Sequence, residues 1–234
     1  MRLVFLPENT GFVRALEQEK ITMMVGSADI TSEQVKKCQE LGITEIQKYS
    51  EYNVGEIVAV AASYSQSGYS VDWVIENIAA DVPIEKTMTI EGSYLGWNDS
   101  SYVVPQAMNN MIVIDEIRLC RLSEVQTNDF MKMGLYQEKY YDPEFNMYGR
   151  RFKIYGVDYV TYKIYDAFWR LLMETFHLDE AGVKELWRLD PYVFVYKFYL
   201  LEDDKTEEIY QAWLKTVWKG CQPKSAVSWK IHRR

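Results

Sequence analysis

Gln106, Asn109 and Asn110 crowd into "VPQAMNNM", residues 104 to 111, at the entrance of the apolar run Met111 to Ile114. A side-chain amide carries both donors and an acceptor, so it can read the edge of a base, and it can equally satisfy the backbone of a turn. Just upstream, in "SYLGW", Tyr94 and Trp97 offer aromatic surfaces. A base stacked on such a ring gains about 1 to 3 kcal/mol without any net positive charge. Tyr94, Trp97, Asn109 and Asn110 therefore form one candidate ligand-binding set. Other chemistries leave no comparable trace. His177 and His232 are isolated, the acidic residues lack calcium-loop spacing, and neither a Gly-rich phosphate cradle nor a Ser-His-Asp constellation is present, so no metal and no cofactor is expected.

Charge supplies a second candidate. The chain carries a formal −8, yet after Glu208 it has no acidic residue and six basic ones: Lys215, Lys219, Lys224, Lys230, Arg233 and Arg234. Setting those six aside leaves residues 1 to 208 at −14. Such a body repels a phosphate backbone over a Debye length of about 8 Å at physiological salt. Nucleic acid must then be met by a local basic patch, by the tail with Lys224, Lys230, Arg233 and Arg234, or by groups that recognise something other than the backbone.

The scaffold must be sizeable. With 234 residues, 48% of them hydrophobic, one domain with additions can bury a full core. The longest apolar runs fall short of the roughly 18 residues that suggest a membrane span, and "MRLVFLPENTGF" is too soon polar for a signal peptide, so a cytoplasmic protein is expected. Cys38, Cys120 and Cys221 are odd in number and widely spaced, which suits reduced structural thiols.

Hydrophobic periodicity predicts strands at 2 to 6, 56 to 64, 86 to 97, 111 to 122 and 192 to 200. Helices are predicted over 9 to 20, capped by Asn9 or Thr10 with Phe12, Ala15 and Leu16 on one face, and over 31 to 42, capped by Thr31 or Ser32 and ended by Gly42. A short helix is expected at 71 to 80, and Ser123 with Gln126 has capping-box spacing for another. Residues 136 to 151, broken by Pro143 and Gly149 with Gly156 beyond, read as loop; 157 to 176 read as one long helix; the helically spaced series Tyr155, Tyr159, Tyr162 and Tyr165 reads as core or interface packing; 205 to 220 read as a closing helix. Strands at both ends and in the middle, without strict βαβ alternation, predict an α+β fold, best accommodated as a small mixed barrel surrounded by helices.

The succession "YNVGEIVAVAASY", "GWNDSSYVVP", "IVIDEIRLCRLSEVQTNDFMKMGL", "AFWRLL" and "LDPYVFVYKFYL" resembles the ASCH family of PUA-like β-barrels, in particular its phage and prophage type, over roughly residues 10 to 202. The resemblance implies one domain over 1 to 204, with an inserted loop and long helix at about 136 to 176, followed by a C-terminal helix and basic tail over 205 to 234. It also implies a cleft for RNA or nucleosides. Some members of the family remove an acetyl group from a modified cytidine with a Lys, a Thr and a Glu. Against that pattern "QEKITMMV" keeps Lys20 but places Met23 at the Thr, with Thr22 one position off; the helix that should end in Glu-Gly ends in Met133-Gly134; the acidic position of the second strand is Ala62. Where the family has His and Arg around its proline, this chain has Val103 and Asn110 and keeps Pro105 alone.

The expectation is a PUA-like ASCH domain that binds RNA, a nucleotide or a modified nucleoside without catalysis, with Lys20 joining Tyr94, Trp97, Asn109 and Asn110 as ligand contacts. Its rival is a protein-interaction scaffold, phage-encoded, that meets a partner through exposed aromatics. A lesser alternative is residual hydrolysis of an N4-acylated cytidine by Lys20 and Thr22.

Overall fold

The computed structural model describes residues 1–6, 10–70, 72–74, 96–97, 100 and 103–217. In chain order the elements are β1 (Arg2–Val4), α1 (Thr10–Glu17), β2 (Met23–Ser27), α2 (Ser32–Leu41), α3 (Ile43–Tyr49), β3 (Ile57–Val60) and β4 (Met111–Arg121). There follow α4 (Thr127–Lys132), β5 (Leu135–Asp142), β6 (Met147–Ile154), β7 (Val157–Thr161), α5 (Ile164–Phe176), α6 (Glu180–Leu189), β8 (Tyr192–Leu200) and α7 (Asp203–Val217). The fold is mixed α+β. Among the described residues the strands lie in open sheets and do not close into the expected barrel. The predicted strand over 86 to 97 and most of the predicted helix over 71 to 80 lie outside the described residues.

The chain divides into two interleaved compact units. The first comprises residues 1–5, 57–111 and 201–234. In it β1 runs parallel to β3, Leu3 opposite Ala59, and the buried side chains Val4, Val58 and Ala59 come from this pair. Val60 N–H donates to the Asn110 carbonyl and Leu201 N–H to the Met111 carbonyl, each at 2.8 to 2.9 Å, which brings distant parts of the chain together. Tyr69 stacks on Trp73 with ring centroids 4.2 Å apart, and Tyr210 of α7 approaches Trp73 at 6.5 Å.

The second unit comprises residues 6–56 and 112–200. Here β8 lies between β2 and β4, antiparallel to both. β8 is nearly continuous in apolar residues because Val193 to Tyr196 are all buried. Asp115 is a bulge in β4: the register passes from Ile114 opposite Phe198 to Glu116 opposite Lys197, and the exposed Asp115 carboxylate takes Lys197 Nζ at 2.7 Å. α1 buries Phe12, Ala15 and Leu16, the face its spacing predicted. α2 is capped by Thr31, whose hydroxyl accepts from Gln34 N–H while Gln34 Oε1 accepts from Thr31 N–H at 2.6 Å, and it stops at Gly42 with φ 70°. It buries Val35 and Cys38, whereas Leu41 in its last turn is exposed.

Two corrections concern the region after β4. The cap of α4 is made by Asp129, which accepts Gln126 N–H at 3.2 Å and Arg118 Nη2 at 2.6 Å; Ser123 instead donates its N–H and hydroxyl to the Asp190 carboxylate at 2.8 and 2.9 Å. The predicted loop 136 to 151 and the first turn and a half of the predicted helix 157 to 176 are strands. β5, β6 and β7 form an antiparallel meander, Leu135 opposite Ile154 and Phe152 opposite Thr161. A five-residue stretch such as "VDYVT" fits either period, and its β-branched Val157, Val160 and Thr161 favour the extended form once β6 offers a partner. The tyrosine series is thereby split: Tyr159 belongs to β7 and Tyr165 to α5. α5 begins only at Ile164 and buries Ala167, Phe168, Leu171 and Leu172, with Phe168 stacked on Phe130 of α4 at 3.8 Å.

Candidate functional site

The meander of the second unit carries the arrangement with the clearest chemical potential. At the far end of the β5–β6 hairpin, Asp142 Oδ1 accepts the N–H of Glu144, Pro143 pre-sets the turn, and Asn146 takes φ 48°. This fixes the register: Lys139 opposite Arg150, Tyr140 opposite Gly149, Tyr141 opposite Tyr148. Opposite residues of an antiparallel pair project to one side, so the two faces of the hairpin separate cleanly.

On the half-buried face stand Glu138, Tyr140, Arg151 and Lys153. Glu138 receives Arg151 Nε and Nη2, both at 2.6 Å, and Lys153 Nζ at 3.1 Å. The Lys153 and Arg151 cations hold its carboxyl below the usual carboxylate range. Tyr140 lies across Gly149, where a β-carbon would meet its ring at 2.5 Å, and Arg151 sits over that ring at 5.4 Å. The Tyr140 hydroxyl is pushed up, first by its hydrogen bond with Tyr162 and then by burial.

The exposed face carries Lys139, Tyr141, Tyr148 and Arg150. Among the described residues neither Lys139 nor Arg150 has an anionic partner. Like charges directly opposite across a ladder are unfavourable, so the fold gains nothing from this pair. Tyr141 and Tyr148 stand beside them with ring centroids 5.3 Å apart and planes tilted 58°; Tyr148 is 76% exposed, and Tyr141 donates to Asn146 Oδ1 at 2.6 Å. A shallow, open depression of about 430 Å³ is lined by Lys139, Tyr148, Gly149 and Arg150. Two unneutralised cations beside two open aromatic rings can hold an anion that also has a flat π-face.

The residues singled out from sequence are distributed otherwise. Lys20, in the second unit, follows α1, is exposed, and places its Nζ 5.9 Å from the centre of the Tyr155 ring. Thr22 is pinned through its backbone, donating N–H to Lys132 O and accepting from Phe198 N–H, each at 2.9 Å. Trp97, Asn109 and Asn110 fall in the first unit. The turn 63–69 gathers two of them, because Ser65 N–H donates to Trp97 O at 3.1 Å and Asn109 Nδ2 to Ser67 O at 2.9 Å. Asn110 accepts Val60 N–H through its carbonyl. The Asn109 amide thus holds a turn, while Asn110 ties its backbone to β3. Tyr64 anchors the same turn; burial pushes its hydroxyl up to about 12, against the opposing bond from Val104 N–H at 2.8 Å. Tyr94 and the tail residues Lys224, Lys230, Arg233 and Arg234 lie outside the described residues. Among the described residues no three His, Cys, Asp or Glu side chains are grouped to hold a metal ion, and no helix is long and apolar enough to cross a membrane.

Sequence reading missed Lys139, Tyr141, Tyr148 and Arg150 because Pro143 and Gly149 mark the segment as broken. The signal was present in the alternation of "LYQEKYYD" and "MYGRRFKI" about an Asp-Pro turn. No family model, no curated protein and no solved structure matches this chain.

Proposed function

We propose that this protein binds RNA, a nucleotide or a modified nucleoside, without catalysis, and that the exposed face of the β5–β6 hairpin is the contact surface. The observation that carries the reading is the cross-strand pair Lys139 and Arg150, without an anionic partner among the described residues in a chain whose first 208 residues carry −14, beside the open rings of Tyr141 and Tyr148. Local cations answer the objection that an acidic body repels phosphate, and the rings supply stacking that needs no charge. The ordered motifs that resemble the ASCH family support the same ligand class, and a PUA-like ancestry for the domain belongs to this proposal. The test is titration of the full chain with uridine nucleotides and short oligouridines, followed by tyrosine fluorescence. Binding is expected, and Lys139→Glu with Arg150→Glu should weaken it by roughly a hundredfold, since two attractive contacts become repulsive. No binding at millimolar ligand would remove the reading.

A second reading has its own observation. Phe145 and Met147 at the hairpin tip are 67% and 58% exposed, an apolar end that suits a protein partner. Sedimentation of the chain, alone and with Phe145→Ser, tests the homomeric form of that idea: a dimer abolished by the substitution supports it, and a monomer in both cases rejects it.

A further inference from the structure

We infer that the ligand of the hairpin face is a single strand which lays two consecutive nucleotides across it, with one base on each of Tyr141 and Tyr148 and one phosphate at each of Lys139 and Arg150. This rests on the reading of the hairpin as a nucleic-acid surface and adds strandedness and footprint. The ring geometry excludes a base sandwiched between the tyrosines. Carbon contacts need about 3.5 to 4.0 Å on each side of an inserted ring, hence about 7 to 8 Å between the enclosing rings, whereas these centroids are 5.3 Å apart and tilted by 58°. Each tyrosine must then receive a base on its outer face, and two rings receive two bases. A duplex keeps its base faces inside its own stack, so only an unpaired strand can use them. The cations are matched in number. Lys139 and Arg150 are one step inward from the tyrosines on the same face, about 6.8 Å along each strand at the usual rise. Glu138, the nearest acidic residue in sequence, is turned to the other face and already holds Arg151 and Lys153, so it does not compete for them. The basic tail is an alternative phosphate contact, and its larger charge makes the two distinguishable.

Salt dependence decides. Two phosphate contacts with a single strand give a slope of about −1.4 in log K against log salt, whereas all six cations after Glu208 would give roughly −4. The probes are uridine monophosphate, the 5′-phosphorylated dinucleotide pUpU, which carries two phosphates, octauridine and an eight-base-pair RNA duplex, titrated against the full chain. The dinucleotide should bind roughly tenfold more tightly than the monophosphate, octauridine should show the slope of about −1.4, and the duplex should bind more weakly than octauridine. Lys139→Gln or Arg150→Gln should each halve the slope and cost about fivefold at 0.1 M salt. Tyr141→Ala with Tyr148→Ala should remove the stacking share of the gain from one nucleotide to two while leaving the slope. Equal affinity for monophosphate and octauridine overturns the two-nucleotide footprint but leaves nucleotide binding at the hairpin. A slope near −4 that persists in Lys139→Gln/Arg150→Gln assigns the contacts to the tail and overturns the inference. Failure of every probe to bind overturns the underlying reading as well.

Discussion

The two faces of the β5–β6 hairpin are built from nearly the same residue types and have opposite fates. Both carry two cations and at least one tyrosine. On the half-buried face Arg151 and Lys153 converge on Glu138, and Tyr140 closes over Gly149. On the exposed face Lys139 and Arg150 confront each other with no acid between them, and Tyr141 and Tyr148 leave their rings open. One glutamate and one glycine make the difference. Where an anion and room for a ring are provided internally, cations and tyrosines become structure; where they are not, the same groups remain available to a ligand. The comparison also explains why a nearly neutral segment can present a basic surface: register sorts the charges by side.

The contrast can be broken most sharply at Gly149. Valine there would drive its side chain into the Tyr140 ring, displace it from Arg151 and loosen the hairpin, at a cost of about 1 to 3 kcal/mol. Chemical denaturation should show the loss, and an unaltered midpoint would mean that the ring moves aside freely. Alanine should do the same to a lesser degree.

A smaller effect is expected from Glu138. Its folded-state carboxyl is held below the ordinary 4.5, so the stability it contributes is fully present above that value and is lost as pH falls through the lower folded value. Amide protection in β5 and β6, taken relative to the intrinsic exchange rate at each pH, should therefore fall on acidification below about pH 4.5, with a component absent from Glu138→Gln. The same acid sensitivity in wild type and variant would detach the carboxylate from the hairpin's stability. The least change should follow Lys139→Gln with Arg150→Gln, which removes like charges facing each other across the ladder. The melting temperature should stay level or rise by about 1 °C, even as nucleic-acid binding falls. A marked fall in melting temperature would show that the exposed face is structural after all, and the distinction between the two faces would fail.

Much of the fold was legible locally. The Thr31 cap and Gly42 stop of α2, the buried face Phe12, Ala15 and Leu16 of α1, and the nearly continuous apolar run of β8 each rest on interactions within a few residues or on a run that only burial explains. Barrel closure was a different matter, because it depends on which strand edges meet, and an apolar strand records that it is buried without recording its neighbour. The meander was hidden by its punctuation: Pro143 and Gly149 read as breakers, yet one shapes the hairpin turn and the other makes space for Tyr140. The candidate site was less legible still. Spacing pointed to Asn109 and Trp97, whose visible bonds run to the turn 63–69, and passed over Lys139 and Arg150.

What the sequence determined by itself was the inventory: an acidic chain with helices marked by their caps, strands marked by β-branched runs, and cations and tyrosines interleaved between residues 136 and 153. Tertiary structure decided their assignment. Whether a lysine is neutralised or free is set by the residue that register places opposite it, and a shift of one position would exchange the two faces. Cap and helix period are written in neighbours three and four residues apart, whereas the partners of Lys139 and Glu138 lie eleven to fifteen residues away and are selected only when the hairpin closes.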